Sequence, residues 1–266
     1  CPRVGAVRAP QGGGRVRLTV IGCAGSFPNP ASAASCYLVE HEGTTIVLDL
    51  GPGSLGPLAA ATDIRTLDAV LLSHLHADHC LDLAGMYVAR KYHPEGPPPP
   101  LAVHGPRGTG RRIADAYRTS PGEPVEGLER IYRFVDHAPD PITIGPFAIT
   151  LTRVAHPVPA YAIRVEAGGA SLVYSGDTGP TPALVELTRG ADLALFEASC
   201  LSDVENPKDL HMTGVQAGEH AAEAGAGRLV LTHLVSWNDP RATLAEGRSA
   251  FDGEVALAAP GMVVEL

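Results

Sequence analysis

The segment SHLHADH at residues 73–79 constrains this chain more than any other, because it sets three imidazoles and a carboxylate within six positions. It follows directly on the apolar run DAVLLS, which is typical of a buried strand, and it leads into a helical pattern. The polar cluster therefore falls at the carboxyl end of a predicted strand. Core packing does not account for several imidazoles at one turn, whereas metal coordination does.

Three further predicted strands each run into a potential metal ligand. FAITLTRVA precedes His156, SLVYSG precedes Asp177, and RLVLT precedes His233. In open α/β sheets, functional groups gather at the carboxyl ends of the strands, so we expect these side chains to converge. The chain then offers more donors than the three or four protein ligands of one zinc site, which implies two metal ions. The candidate ligands are His74, His76, Asp78, His79, His156, Asp177 and His233.

These donors divide naturally between two ions that share a hydroxide, with Asp177 as the bridging carboxylate. The other six form two sets of three: His74, His76 and His156 for one ion, and Asp78, His79 and His233 for the other. We expect two divalent ions, with zinc favoured. Manganese and iron stay open, because all three metals accept imidazole and carboxylate ligands.

Short β-branched runs alternate with helical stretches along the chain, which predicts mixed α/β layers. One helix is expected over Thr213–Ala224, with Thr213 as its N-cap and Gly225 past its end. No linker divides the chain, so we predict one domain over residues 16–266. Residues 1–15 are rich in Gly, Pro and Arg and are expected to form a flexible N-terminal arm.

Charge narrows the range of partners. Twenty Lys and Arg stand against 29 Asp and Glu, for a net charge of −9, so the protein repels extended nucleic acid at long range. A small anionic substrate is compatible with this charge, because bound metal ions override the net field locally. We therefore expect a small substrate and no extended nucleic acid.

Cysteine usage and hydropathy indicate the compartment. The five cysteines are odd in number and scattered, with no CxxC pair, which disfavours a disulfide framework and fits a reducing cytoplasm. No run approaches the ~20 apolar residues of a membrane span, so no membrane association is expected. The prolines at Pro97–Pro100 predict a stiff polyproline II loop, whose role the sequence leaves open.

The His-x-His-x-Asp-His run, followed by His156, Asp177 and His233 at later strand ends, resembles the metallo-β-lactamase superfamily over residues 16–266. The resemblance implies a four-layer αββα sandwich, in which two mixed β-sheets pack face to face, helices lie outside, and a dinuclear site lies along one edge. Common zinc β-lactamases use a cysteine ligand and lack the bridging aspartate. Here Cys80 follows a ligand within a helix and is expected to pack inward, so antibiotic hydrolysis is not expected.

Two further elements are similar to those of ribonuclease Z-like phosphodiesterases. The strand ADLALFE ends in Glu197-Ala198-Ser199, and His211-Met212-Thr213 opens a helix, like the Glu-Ala-Thr and His-Ser-Thr elements of that branch. The resemblance implies that His211 approaches the scissile phosphate and that Glu197 orients it. A metal-bridging hydroxide would attack phosphorus, and His211 would protonate the leaving alkoxide. The expected catalytic residues are Asp78, Glu197 and His211.

The substrate class is narrowed by what lies between His156 and Asp177. Ribonuclease Z proteins carry a long basic arm there, whereas residues 157–176 hold two predicted strands and the turn EAGGA. The chain instead resembles short actinobacterial 3',5'-cyclic nucleotide phosphodiesterases in LLSHLHADHCLDL, YHP, YSGDTG, LVEL, FEAS and FDGEV, which implies hydrolysis of cyclic AMP to 5'-AMP. Ser26 and the loops at residues 28–35 and 93–100 are expected to rim the pocket.

Several alternatives stay open at this point. One is a ribonuclease Z-type tRNA 3'-end endonuclease, and another is a lactonase or thioesterase-type hydrolase of the same fold. A fold retained for binding without catalysis is disfavoured by the complete ligand set. The sequence does not decide the base specificity or whether the chain forms a homodimer.

Overall fold

The computed structural model describes residues 14–266, so the predicted N-terminal arm lies outside the described residues except for its last two. The strands are β1 (Arg17–Ala24), β2 (Ala33–Ala34), β3 (Cys36–His41), β4 (Thr44–Leu48), β5 (Ala69–Leu71), β6 (Leu101–Gly105), β7 (Tyr132–Asp136), β8 (Ile142–Ile144), β9 (Phe147–Arg153), β10 (Tyr161–Ala167), β11 (Ala170–Tyr174), β12 (Leu193–Glu197), β13 (Arg228–Thr232), β14 (Glu254–Leu257) and β15 (Val263–Glu265). The helices are α1 (Leu55–Ala61), α2 (Ala77–Cys80), α3 (Asp82–Lys91), α4 (Thr109–Tyr117), α5 (Leu128–Ile131), α6 (Pro182–Thr188), α7 (Gly214–Ala224) and α8 (Pro240–Ala250).

The strands form two mixed sheets. The first has the order β15-β1-β3-β4-β5-β6-β7, with β2 paired to β1, and its second half from β4 to β7 is parallel. The second has the order β14-β13-β12-β11-β10-β9-β8, and it is parallel from β14 to β11 and antiparallel from there to β8. Parallel strands end at a common edge, and each sheet therefore presents several carboxyl ends side by side.

Three apolar cores separate four layers. The central core joins the facing sides of both sheets through residues such as Leu48, Leu71, Ile163 and Leu195. A second core lies between the first sheet and helices α1 to α5, and a third lies between the second sheet and helices α6 to α8. The fold is therefore the αββα sandwich that the family resemblance implies, with two mixed sheets inside and the helices outside.

Local sequence signals account for the bounds of helix α7. Helix α7 has Thr213 as its N-cap, with a complete capping box to Gln216, and ends at Gly225 in the left-handed conformation at φ 66°. The helical pattern that begins within the segment SHLHADH is divided at Leu81 into α2 and α3. No helix of residues 14–266 has both the length and the apolar character needed to cross a membrane.

Candidate metal centre

The structure brings all seven candidate ligands together at the edge where β5, β9, β11 and β13 end. His74 and His76 follow β5, and Asp78 and His79 lie on α2, which begins directly after them. The donor atoms form two overlapping groups, in each of which all atoms lie within 4.8 Å of one another. The first group is His74, His76, His156 and Asp177, and the second is Asp78, His79, Asp177 and His233.

Hydrogen bonds determine which ring nitrogen of His79 and of His233 carries the proton. Nδ1 of His79 lies 2.7 Å from a carboxylate oxygen of Asp49, which can only accept, so Nδ1 donates. Nδ1 of His233 lies 2.7 Å from Oγ of Ser199, and this hydroxyl donates its own proton to the carbonyl of His233 at 2.9 Å. Both Nε2 atoms therefore present a lone pair to the site.

The same logic applies to His74 and His156. Oγ of Ser73 donates to Asp49 at 2.7 Å and so accepts from Nδ1 of His74 at 3.0 Å. Nδ1 of His156 donates to the carbonyl of Leu210 at 3.0 Å. In both rings Nε2 is again left as the free ligand atom.

Several of the ring nitrogens in the two groups lie close to one another. Nε2 of His79 lies 3.3 Å from Nε2 of His233, and Nε2 of His156 lies 3.2 Å from Nδ1 of His76. Neighbouring ligands around a tetrahedral zinc ion with Zn–N bonds of about 2.1 Å are about 3.4 Å apart. Nε2 of His74 is buried and has no hydrogen-bond partner among the described residues. The donor set therefore fits divalent cations.

The carboxylate of Asp177 is placed between the two groups. Its Oδ1 lies 3.2 Å from Nε2 of His79, and its Oδ2 lies 3.5 Å from Nε2 of His74. Burial alone would raise the pKa of Asp177, but the imidazoles of His233, His79 and His74 hold it well below its usual value. An ionised carboxylate that directs one oxygen at each group has the geometry of a bridging ligand.

Protonation in the two groups suits metal ligation. Burial lowers the pKa of His74, His76 and His156, which keeps these rings neutral. Burial also opposes a charge on His79, but Asp177 and Asp49 raise its pKa well above the usual value. Nε2 of His79 therefore lies where a positive charge is favoured, and either a proton or a divalent cation supplies that charge.

Glu197 and His211 form a pair beside these groups. Nδ1 of His211 lies 2.8 Å from Oε1 of Glu197, which is fully buried and also accepts from the backbone N–H of Thr178 at 2.9 Å. Burial would lower the pKa of His211, but the Glu197 carboxylate raises it to about 9. His211 is thus an imidazolium at neutral pH, and its ring centroid lies 5.4 Å from that of His233.

Sequence reasoning missed Asp49. It is fully buried and accepts hydrogen bonds of 2.7 Å from the backbone N–H of Ser73, from the hydroxyl of Tyr174 and from His79. These bonds join three strand ends and orient a candidate ligand. The signal was available, because Asp49 follows the apolar strand TTIVL just as Asp177 follows β11.

The loops expected at the rim of the pocket lie at two different edges of the fold. The backbone N–H of Ser26 donates toward Nε2 of His233 at 3.3 Å, so the loop after β1 lies at the site. Residues 93–100 instead lead into the amino end of β6, which is the edge opposite the site. The expectation that they rim the pocket is therefore wrong. Buried Arg90 holds this loop by donating to the carbonyl of Pro99 at 2.7 Å.

An αββα sandwich with histidine and aspartate donors clustered at the strand ends defines a metal-dependent hydrolase of the metallo-β-lactamase fold. The chain belongs to this superfamily, because the family described as "Beta-lactamase superfamily domain" matches residues 44–234.

Similar proteins agree with this assignment. The chain is 43% identical over 244 residues to the uncharacterized protein Rv1339 of Mycobacterium tuberculosis, covering 90% of this chain and 88% of that one. It is 34% identical over 248 residues to ribonuclease Z of Mycobacterium marinum, covering 83% and 86%. It is also 32% identical over 256 residues to the probable metallo-hydrolase YhfI of Bacillus subtilis, covering 94% and 100%. The crystal structure of YhfI matches with a TM-score of 0.84 at 30% identity, covering 95% of this chain and 100% of that one. The chain is thus a metal-dependent hydrolase of the ribonuclease Z-like branch.

Proposed function

We propose that this protein is a dinuclear phosphodiesterase that hydrolyses 3',5'-cyclic nucleotides in the cytoplasm, converting cyclic AMP to 5'-AMP. The observation that carries the proposal is the His211–Glu197 pair at 2.8 Å beside two donor groups that share Asp177. A thioesterase needs the metal ligands, but its thiolate leaving group departs without a proton and so has no use for the protonated imidazole of His211.

In this proposal His74, His76 and His156 would hold one ion and Asp78, His79 and His233 would hold the other, with Asp177 as the donor that both groups share. Two bound divalent cations, zinc by preference, would supply charge to neutralise phosphate oxygens and to lower the pKa of an attacking water. Asp78 contributes an ionised carboxylate, because the neighbouring imidazoles of His233 and His79 overcome burial and lower its pKa.

His211 is assigned as the general acid. The Glu197 carboxylate accepts from its Nδ1, so the other ring nitrogen, Nε2, carries the proton available to substrate. Cleavage of the bond between phosphorus and the 3' oxygen leaves an alkoxide, which takes this proton as it departs. Glu197 is itself held by the backbone N–H groups of Thr178 and Ser199, so it positions the imidazolium without moving.

The structure of the segment between His156 and Asp177 favours a compact substrate. Strands β10 and β11 occupy most of it, joined by a turn at Gly168 and Gly169, and both strands pair within the second sheet. It therefore offers no protruding arm to grip tRNA. The net charge of −9 also disfavours a polyanion, because it repels the phosphates of an extended nucleic acid.

The test is an assay of metal-replete protein on cyclic AMP and cyclic GMP, with products separated by chromatography. We expect 5'-AMP and little 3'-AMP, because the 3' oxygen is the leaving group. The matched control for His211→Ala is His93→Ala, which removes a partly exposed histidine from the loop at the opposite edge. The first variant should lose turnover and the second should retain it.

A second candidate function is supported by the 34% identity to ribonuclease Z of M. marinum. The same assay separates the two. Trimming of a tRNA precursor at its 3' end, with cyclic AMP and cyclic GMP left intact, favours this candidate and overturns the proposal.

A further inference from the structure

Two aromatic side chains form an exposed pair outside every apolar core of the fold. Phe27 is 45% exposed and Trp237 is 66% exposed, and their ring centroids lie 5.7 Å apart at an interplanar angle of 36°. Single exposed aromatics are common on protein surfaces, but a contacting pair at the rim of a site is typical of a binding surface. We define these two residues as the aromatic pair.

The backbone holds this pair in place. The backbone N–H of Leu234 donates to the carbonyl of Cys23 at 2.9 Å, and that of Gly25 donates to the carbonyl of Leu234 at 3.1 Å. These bonds clamp the segment before Phe27 against the segment before Trp237. Beyond Trp237, the amide of Asn238 donates to the carbonyl of Ser199 at 2.8 Å. The aromatic pair is thus presented by anchored loops.

The same contacts tie the aromatic pair to the metal centre. Ser26, the neighbour of Phe27, directs its backbone N–H at Nε2 of His233 at 3.3 Å. Ser199 binds the ring of His233 through its hydroxyl and binds Asn238 through its carbonyl. Phe27 therefore follows a residue that contacts His233, and Trp237 precedes a residue that contacts Ser199, which supports His233. The aromatic pair lies at the border between the second donor group and solvent.

We propose that Phe27 and Trp237 form the platform on which the base of a nucleotide substrate stacks. This inference rests on the proposed function and names the part of the substrate that the metal ligands and His211 do not contact. A cyclic nucleotide whose phosphate lies at the donor groups must extend its base outward, one sugar away from phosphorus. Stacking on aromatic side chains binds any base by its π-face, so the platform accepts purines without reading their edges.

Trp237 is the one tryptophan of the chain, so its fluorescence reports directly on this surface. Titration of metal-replete protein with 5'-AMP should quench that fluorescence in a saturable manner, because the base stacks on the indole. Ribose 5-phosphate, which keeps the phosphate and sugar but lacks the base, should leave it unchanged. Equal quenching by both compounds, or inhibition by 5'-AMP without quenching, overturns the inference.

Kinetics provide a second and independent measurement. Trp237→Ala should raise KM for cyclic AMP roughly 5- to 150-fold, the range expected for one lost base–aromatic stack, with a smaller change in kcat. Phe27→Ala should act in the same direction, and Trp237→Phe should restore much of the loss. KM for the base-free ribose 3',5'-cyclic phosphate should not change in any of these variants.

The matched control is Tyr92→Ala, which removes an aromatic side chain that is 64% exposed at the end of α3. It should leave KM for cyclic AMP as in the wild type. Unchanged KM in Trp237→Ala, with normal melting temperature and metal content, overturns the inference. So does a change of oligomeric state in that variant without a change in KM, because the aromatic pair then contacts a second copy. Failure of the proposed function is distinct, since it appears as wild-type protein that leaves cyclic nucleotides intact.

Discussion

Oδ2 of Asp49 lies 2.7 Å from Nδ1 of His79, and both side chains are fully buried. The same carboxylate oxygen accepts from the hydroxyls of Ser73 and Tyr174, each at 2.7 Å. Asp49 therefore connects the end of β4 to the ends of β5 and β11, across the interface of the two sheets. Asp49 fixes the ring orientation of His79, one of the candidate ligands. Both oxygens of Asp49 accept hydrogen bonds, so we do not count it among the metal ligands.

Asp49→Ala is expected to weaken metal binding by roughly 10- to 100-fold, the usual effect of losing a partner that orients a ligand histidine. The loss should fall mainly on the ion held by His79. Metal content measured against a graded series of chelator concentrations checks this. The control is Asp252→Ala, an exposed carboxylate, which should bind metal normally. Equal metal affinity in both variants would contradict the role assigned to Asp49.

Metal stoichiometry is the second prediction. Elemental analysis of holo-protein should find two ions per chain, because donors from several strand ends form two groups that share Asp177. Asp177→Ala should reduce occupancy of both sites, whereas His233→Ala should mainly empty the second. Removal of the metals should lower the melting temperature, since ligands that bind the native state alone stabilise it. A ratio of one ion per chain at saturating metal would refute the dinuclear site.

The third prediction concerns leaving-group protonation. His211→Ala should lower turnover on cyclic AMP by roughly 10²–10⁴, the usual loss for a missing general acid, with metal content unchanged. On bis(p-nitrophenyl) phosphate the loss should be smaller, because nitrophenolate departs without a proton. Comparison of the two rate ratios is the measurement. Equal losses on both substrates would mean that His211 binds the phosphate and does not protonate the leaving group.

The fourth prediction is a pH dependence. The Glu197 carboxylate raises the pKa of His211 to about 9, so the acid form persists through neutral pH and is lost as the pH rises through that value. Glu197→Gln removes the negative charge and lowers this pKa. The alkaline limb of kcat/KM for cyclic AMP should therefore move to lower pH. Glu219→Gln, an exposed change on α7, should leave the profile in place.

Elements with strong local signals could be predicted, and elements that depend on distant partners could not. β13 is the apolar run RLVLT, and its observed bounds, Arg228–Thr232, are those of the predicted strand. β15, by contrast, spans three residues and exists because it pairs antiparallel with β1 at the other end of the chain. Such a short run has no periodicity of its own, so nothing in the local sequence indicated it.

The candidate site also has features that the sequence determined and features that only the tertiary structure decided. The sequence alone determined which side chains follow strands, because the strand signal and the donor residue are adjacent in the chain. This was enough to nominate the seven donors, whereas the resemblance to ribonuclease Z-like phosphodiesterases added Glu197 and His211. The order of the strands brings the donors of each expected set together, since His156 meets His76 across 80 residues. The tertiary structure also decided which nitrogen of each ring is free. The partners that settle it lie 30 residues from His79 and 34 residues from His233, and only the packing of two sheets brings them into hydrogen-bond range.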